Sequence, residues 1–162
     1  MTNRHKTTLY LAAIAAAALA LTSTASFSQA NAPHLVGSWK GAVTATSPPG
    51  IAPFTSLITF TSDGTVIESR RLLVEPTPFG PLLETTSHGA WQRAASGQFD
   101  VHFVFMLQNA TTGADVGTDN VHLSLTLDST GSILSGTFES TIEDPSGNSL
   151  FTASGTFAAS RI

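Results

Sequence analysis

The chain contains no cysteine and few basic residues, and each deficit excludes some classes of function. Without cysteine there is no disulfide, no thiolate nucleophile and no thiolate metal ligand. Only 7 of the 162 residues are Lys or Arg, whereas 11 are Asp or Glu. Such an acidic chain lacks the positive surface that binds nucleic acids and anionic membranes. We therefore expect no nucleic-acid partner and no thiol chemistry.

Familiar catalytic motifs are also missing. The sequence has no Gly-x-Ser-x-Gly elbow, no His-Glu-x-x-His and no glycine-rich phosphate loop. His88, His102 and His122 fall at polar positions of neighbouring predicted strands, where exposed side chains are a simpler interpretation than a metal site. We predict no catalytic residue, no metal and no cofactor, so an enzyme is less favoured than a binding protein.

The first thirty residues have the order of a targeting segment. A basic start precedes an apolar run, Leu9–Leu21, and small residues end the segment at Ala30. This pattern predicts a cleaved signal peptide over residues 1–30. The apolar run is shorter than the roughly 20 residues that span a bilayer. We expect residues 31–162 to be exported, periplasmic or secreted, with no membrane span in the mature form.

Residues 31–162 are enough for one domain, and apolar and polar residues alternate through it. In the stretch 98–108, for example, Phe99, Phe103 and Leu107 share one face. Such alternation is typical of half-buried strands. Eight segments show it: 36–46, 54–61, 65–75, 84–94, 98–108, 118–128, 133–143 and 149–161. They predict an all-β fold, an eight-stranded antiparallel up-and-down β-barrel.

The predicted connections alternate between tight and long. Tight turns that contain glycine lie at 62–64, 95–97 and 129–131, and longer loops rich in Pro or Gly lie at 47–53, 76–82 and 109–117. In a meander, alternate connections lie at opposite ends of the barrel. One end should therefore be pinched and the other open, like a cup.

Trp39 and Arg161 occupy the first and last predicted strands at the pinched end. Both fall in phase with inward-facing residues, Trp39 with Val43 and Arg161 with Phe157. If these strands pair to close the barrel, the guanidinium stacks on the indole. We expect this pair to form a structural floor.

The segment "VGSWKG" resembles the Gly-x-Trp signature of the calycin superfamily, the lipocalins and their relatives, here at Gly37–Trp39. Arg161 resembles the arginine that packs across that tryptophan near the end of the last strand. The resemblance implies a lipocalin-like closed barrel with an interior cavity for a small, mostly apolar ligand.

Inward aromatic residues are the candidate ligand contacts. Phe54, Phe105 and Phe151 should lie near the open end and Phe103 deeper, with Phe79 on a long loop as a lid. These rings would line a cavity or fill a solid barrel, because small eight-stranded barrels do either. The sequence leaves both alternatives open.

The segment "ESRRLLVE" adds a charged candidate whose direction depends on one turn. A two-residue turn at Asp63–Gly64 would direct Arg71 inward, whereas a three-residue turn would direct Arg70 and Glu68 inward. A buried guanidinium needs an anion. We take Arg71 as a candidate contact for a ligand carboxylate such as a fatty acid; the alternative partner is a carboxylate of the chain itself.

The leading hypothesis is therefore an exported barrel that binds or carries a small, mostly apolar ligand. One alternative is a barrel isomerase or cyclase that acts on a lipid or polyketide in the same cavity, and another is a structural or interaction barrel without a ligand. An outer-membrane barrel is disfavoured because outward positions such as Thr137 and Glu139 are polar. Oligomeric state is left open.

Overall fold

A computed structural model describes residues 34–71, 73–74 and 79–162, so the expected signal peptide at 1–30 lies outside the described residues. Within that part the regular structure is all β, and no helix there is long and apolar enough to cross a membrane. The strands are β1 Gly37–Ser47, β2 Phe54–Phe60, β3 Thr65–Ser69, β4 Leu73–Val74, β5 Leu82–Glu84, β6 Ser87–Ala95, β7 Gln98–Asn109, β8 Asp115–Leu127, β9 Ile133–Glu143 and β10 Ser149–Arg161.

The sheet closes on itself as an antiparallel barrel. Strand β1 pairs with both β2 and β10, and the pairing of β7 with β8 completes the ring. Strands β5 and β6 both pair with β7, while β4 pairs with β5 and β3 with β6. Strands β5 and β6 therefore share one position in the wall, and β3 and β4 share the next position. The prediction of an eight-stranded up-and-down barrel is confirmed, with the third and fourth predicted strands each interrupted once.

One half of the barrel is packed solid with apolar side chains. Alternation places every second residue of β7 and β8 inside, as the burial of Phe99, Val101, Leu123 and Leu125 shows. Burial of this apolar surface contributes on the order of 25 cal/mol per Å². The buried side chains nearest the tight turns are Trp39, Phe60, Val66, Phe99, Leu125, Leu127, Leu134 and Ala159.

The floor of the barrel is the predicted tryptophan–arginine pair. Trp39 and Arg161 are direct cross-strand partners, and the guanidinium carbon lies 4.3 Å from the indole centroid. The indole is fully buried, and its Nε1 donates to the Leu35 carbonyl oxygen at 2.9 Å. The first and last barrel strands are therefore joined by a stacked pair as well as by the ladder.

Gly37 is needed for this floor. Its φ of 133° lies in a region that side chains other than glycine rarely adopt. An added Cβ there would also lie 2.6 Å from Nη1 of Arg161. The glycine two residues before Trp39 thus makes room for the arginine that covers the indole.

Candidate functional site

A cavity of about 420 Å³ occupies the other half of the barrel. It extends from Ile58 and Leu123 above the packed floor to the loop 48–52 and Arg71 at the long-loop end. Its wall is mainly aliphatic and aromatic, because it continues the inward faces that form the core below. The asymmetry of the loops therefore predicted correctly which end is hollow.

The predicted aromatic contacts are distributed over this cavity. Phe54, Phe103 and Phe151 line it, with Phe103 the most buried of the three. Phe105 is fully buried and packs edge-to-face against Phe103, with ring centroids 5.7 Å apart. Phe79 is half-buried against the core and outside the lining, and its carbonyl oxygen accepts a hydrogen bond from Asn109 at 3.1 Å.

The β2–β3 turn decides which arginine points inward. Phe60 pairs with Val66, so the connection has three residues, 62–64. The Thr61 N–H donates to the Thr65 carbonyl oxygen at 2.9 Å and closes the turn. This is the register that directs Glu68 and Arg70 inward. Arg71, which the two-residue turn would have placed inside, is exposed at the rim of the cavity.

Arg70 is held inside the barrel by two carboxylates from different strands. Its Nε and Nη2 donate to the two oxygens of Glu84 at 2.6 and 2.7 Å, and Nη2 also donates to Oδ2 of Asp119 at 2.8 Å. Its guanidinium carbon lies 4.2 Å from the Phe105 centroid. Such charge-assisted bonds make burial of the guanidinium possible.

Glu68 is a second buried carboxyl beside this ion-paired group. The hydroxyl of Ser56 donates to its Oε1, whereas Oε2 is buried and has no hydrogen-bond partner among the described residues. The residue is only 3% exposed, and it lines the cavity. An unpartnered buried oxygen of this kind is uncommon in native structures.

Burial and charge together set the ionisation of these groups. Burial raises the pKa of Glu68 to about 7, although the charge of Arg70 opposes the rise. Burial likewise raises the pKa of Glu84, with Arg70 again acting in the opposite direction. For Arg70 itself burial lowers the pKa, but Glu84 and Asp119 outweigh it and raise the pKa above its usual value. With a pKa of about 7, Glu68 can exchange a proton near neutral pH.

Asp119 and Ser140 are site residues that the sequence analysis did not identify. Asp119 is 3% exposed, and its Oδ1 accepts a hydrogen bond from the Ser140 hydroxyl at 2.6 Å. The alternation of the sequence does indicate that both side chains face inward. Asp119 is in phase with Val121 and Leu123, and Ser140 is in phase with Phe138.

The three histidines lie on the outer face of the barrel. His102 and His122 are direct partners across β7 and β8, but His88 pairs with Val104, two positions further along β7. All three are exposed, as their polar strand positions indicated. Within the residues that the structure describes, no three His, Asp or Glu side chains are grouped so that they could hold a metal ion.

Comparison of the chain with protein-family models, with curated proteins and with solved structures gave no match. The chemistry of the cavity is therefore the basis for a functional assignment. It combines an apolar wall, an ion-paired arginine and one buried carboxyl that titrates near neutrality.

Proposed function

We propose that this protein is an exported, lipocalin-like carrier that binds a small, mostly apolar molecule inside its barrel. The observation that carries the proposal is the cavity of about 420 Å³ above a sealed floor. Pockets that bind small molecules have volumes of about 300–1,000 Å³ and mostly apolar walls. At ~30 Å³ per water in the liquid, the cavity corresponds to about fourteen waters. A molecule with roughly that number of non-hydrogen atoms would fit.

Two features support binding in preference to a purely structural barrel. The floor half is filled with large side chains, whereas the other half keeps an open lumen although many apolar residues face it. Few polar side chains line that lumen, and hydrogen bonds hold most of them in place. Apolar walls with a few fixed polar groups are characteristic of ligand sites.

A cavity-filling variant tests the proposal. Val121 is buried on β8 and lines the cavity, so Val121→Trp should fill the lumen and abolish binding of a neutral, apolar fluorescent probe. Leu57→Trp is the matched control, because Leu57 lies on the outer face and is 50% exposed. Native mass spectrometry of the purified protein would look for a co-purified ligand in parallel.

Equal probe binding by both variants would contradict binding in the lumen. Near-ultraviolet circular dichroism would establish that Val121→Trp keeps its fold. A wild-type protein that binds no probe and carries no co-purified molecule would favour the structural barrel instead.

Export is part of the same proposal. Residues 1–30 have the pattern of a cleaved signal peptide, and the mature chain should start at Asn31 in the periplasm or the medium. Cell fractionation followed by amino-terminal sequencing would test this. An intact amino terminus in the cytoplasmic fraction would contradict it.

A second candidate function is supported by Glu68. An isomerase or cyclase needs an acid or base with a pKa near the working pH, in a site that excludes bulk water. Glu68 has these properties, with a buried carboxyl and a pKa of about 7. The test is hydrogen–deuterium exchange next to the carbonyl of a cavity-bound decanone in heavy water, followed by NMR. Exchange that wild type accelerates and Glu68→Gln does not would favour the enzyme; no acceleration would favour the carrier.

A further inference from the structure

The interior of the cavity has an excess of negative charge. Five ionisable side chains line the cavity, and one of them, Arg71, is exposed at its rim. The four inside are Glu68 on β3, Arg70 directly after β3, Glu84 on β5 and Asp119 on β8. Of these four, three are carboxyls and one is a guanidinium. An excess of this kind selects among the polar groups that a ligand could bring.

The guanidinium of Arg70 already donates hydrogen bonds to carboxylates of the chain itself. Arg70 bonds both oxygens of Glu84 and one oxygen of Asp119, and Ser140 bonds the other oxygen of Asp119. Arg70 and the two carboxylates bonded to it together carry one negative charge. A ligand carboxylate would have to break this arrangement to reach Arg70, and it would add a further negative charge.

Glu68 is the group left for a ligand. Its Oε1 is bonded by Ser56, and its Oε2 has no partner among the described residues although the residue is 97% buried. As a carboxylate, Glu68 lacks a donor at Oε2 among the described residues. As a carboxylic acid it can place its proton on Oε1, where the Ser56 hydroxyl oxygen can accept it. The ionised form is therefore the one that a donor in the cavity would complete.

We propose that the carried molecule has an apolar body that ends in a protonated amine, and that its ammonium donates a hydrogen bond to Oε2 of Glu68. This inference rests on the carrier function proposed above. The ammonium satisfies the orphaned oxygen and reduces the excess negative charge in one contact. An alcohol would satisfy the oxygen but leave the charge, and a ketone would require Glu68 to stay protonated.

The surroundings of Glu68 favour a cation despite the presence of Arg70. The charge of Arg70 is neutralised by Glu84 and Asp119, both within 2.8 Å of the guanidinium nitrogens. The wall of the cavity also presents the aromatic rings of Phe54, Phe103 and Phe138. Aromatic faces attract cations, and more strongly when water is excluded.

The pH dependence distinguishes an amine from the other polar groups. The charged and polar groups around Glu68 are Arg70, Glu84, Asp119 and Ser56, and together with burial they raise the pKa of Glu68 to about 7. An alkylamine has a pKa of about 10, so it stays protonated between about pH 5 and about pH 8. Amine affinity should therefore increase over this interval as Glu68 ionises, and ketone affinity should decrease.

The experiment compares decylamine, decanol, decanone and decanoic acid as displacers of a neutral apolar fluorescent probe. At about pH 8 we expect decylamine to bind about tenfold more tightly than decanol, and decanoic acid to bind most weakly. At about pH 5 the advantage of the amine should shrink. Glu68→Gln should remove that advantage, measured as the ratio of amine to alcohol affinity within the same variant, whereas Glu139→Gln, the same change on the exposed face of β9, should keep it.

The outcomes separate the two proposals. If the probe binds but the amine has no advantage, or if Glu68→Gln retains that advantage, the amine inference is overturned and the carrier function stands. Preference for the ketone with affinity that falls as pH rises overturns it in the same way. If the probe does not bind at all, the carrier function fails, and the inference fails with it. Should Glu68→Gln not fold, Glu68→Met tests the same loss of the carboxylate.

Discussion

Arg161 in the floor half of the barrel and Arg70 in the cavity half each lie over a buried aromatic ring at nearly the same distance. The guanidinium carbon of Arg161 lies 4.3 Å from the Trp39 centroid, and that of Arg70 lies 4.2 Å from the Phe105 centroid. Both aromatic side chains are fully buried. The stacks differ in what else the arginine bonds.

The floor arginine bonds only neutral groups among the described residues. Its guanidinium donates to the backbone carbonyl oxygens of His34, Val36 and Gly131 at 2.5, 2.8 and 3.1 Å. Neutral carbonyls do not cancel a charge, and Arg161 stays exposed to water. Its bonds connect residues 34–36, which precede β1, to the turn between β8 and β9.

The cavity arginine bonds carboxylates, and these allow it to be buried. Its side chain is 14% exposed, compared with 6% for Glu84 and 5% for Asp119. The comparison shows that an arginine–aromatic stack by itself does not identify a site. The partners that the arginine bonds identify the site. Neutral carbonyls stabilise the floor, whereas buried carboxylates create a charged region that a ligand can use.

Removing the cavity arginine should produce the largest effect. Arg70→Met leaves Glu84 and Asp119 buried without a counter-charge, so we expect a loss of about 3–5 kcal/mol in the free energy of unfolding. Urea denaturation at neutral pH measures it.

A triple variant sharpens that result. Adding Glu84→Gln and Asp119→Asn to Arg70→Met removes the uncompensated charges, and it should recover much of the lost stability. A triple variant as unstable as Arg70→Met alone would contradict the role given to charge.

The next largest effect concerns Glu68 and depends on pH. Because the pKa of Glu68 is raised from 4.5 to about 7, its contribution to stability is full below pH 4.5 and is lost as pH rises to about 7. Relative to Glu68→Gln, wild type should lose about 3 kcal/mol over that interval. Thermal unfolding of both proteins across pH measures the difference, with Glu139→Gln as control. Parallel pH profiles for wild type and Glu68→Gln would refute the raised pKa.

A smaller effect is expected at Gly37. An alanine there must adopt a φ near 133° and displace the guanidinium of Arg161, so Gly37→Ala should cost about 2 kcal/mol. Tryptophan fluorescence should shift towards longer wavelength as the cover of Trp39 loosens. Unchanged stability and emission would show that the floor does not need this glycine.

The smallest effect is expected from the floor arginine itself. Arg161→Ala removes an exposed stack and bonds to carbonyls that water can replace, so the expected loss is about 1 kcal/mol. Ligand binding should be unchanged, because the floor lies on the far side of the packed core from the cavity. A loss comparable to that of Arg70→Met would remove the contrast between the two arginines.

The fold was predictable from the sequence because its signals are local and repeated. Alternation along β7 and β8, and glycine in the turns at 62–64, 95–97 and 129–131, fix where strands lie and which face is inside. The contact between Trp39 and Arg161 followed from phase and strand direction, and it is confirmed.

The sequence predicted the position of the inward-facing arginine only to within one residue. The β2–β3 turn has three residues, and a shift of one residue moves each side chain to the opposite face. The inward arginine is therefore Arg70, and its partner Asp119 lies 49 positions away on the far side of the ring. Partners that meet across a closed barrel leave no short-range pattern, although the phase of Asp119 with Val121 was visible.

The bonds from Ser140 through Asp119 and Arg70 to Glu84 connect β9 and β8 with the end of β3 and with β5. They act as a crossbar at the height of the lumen. The wall at that level cannot spread without breaking charged bonds away from water. We therefore expect slender, flexible molecules to enter more readily than broad, rigid ones of equal volume.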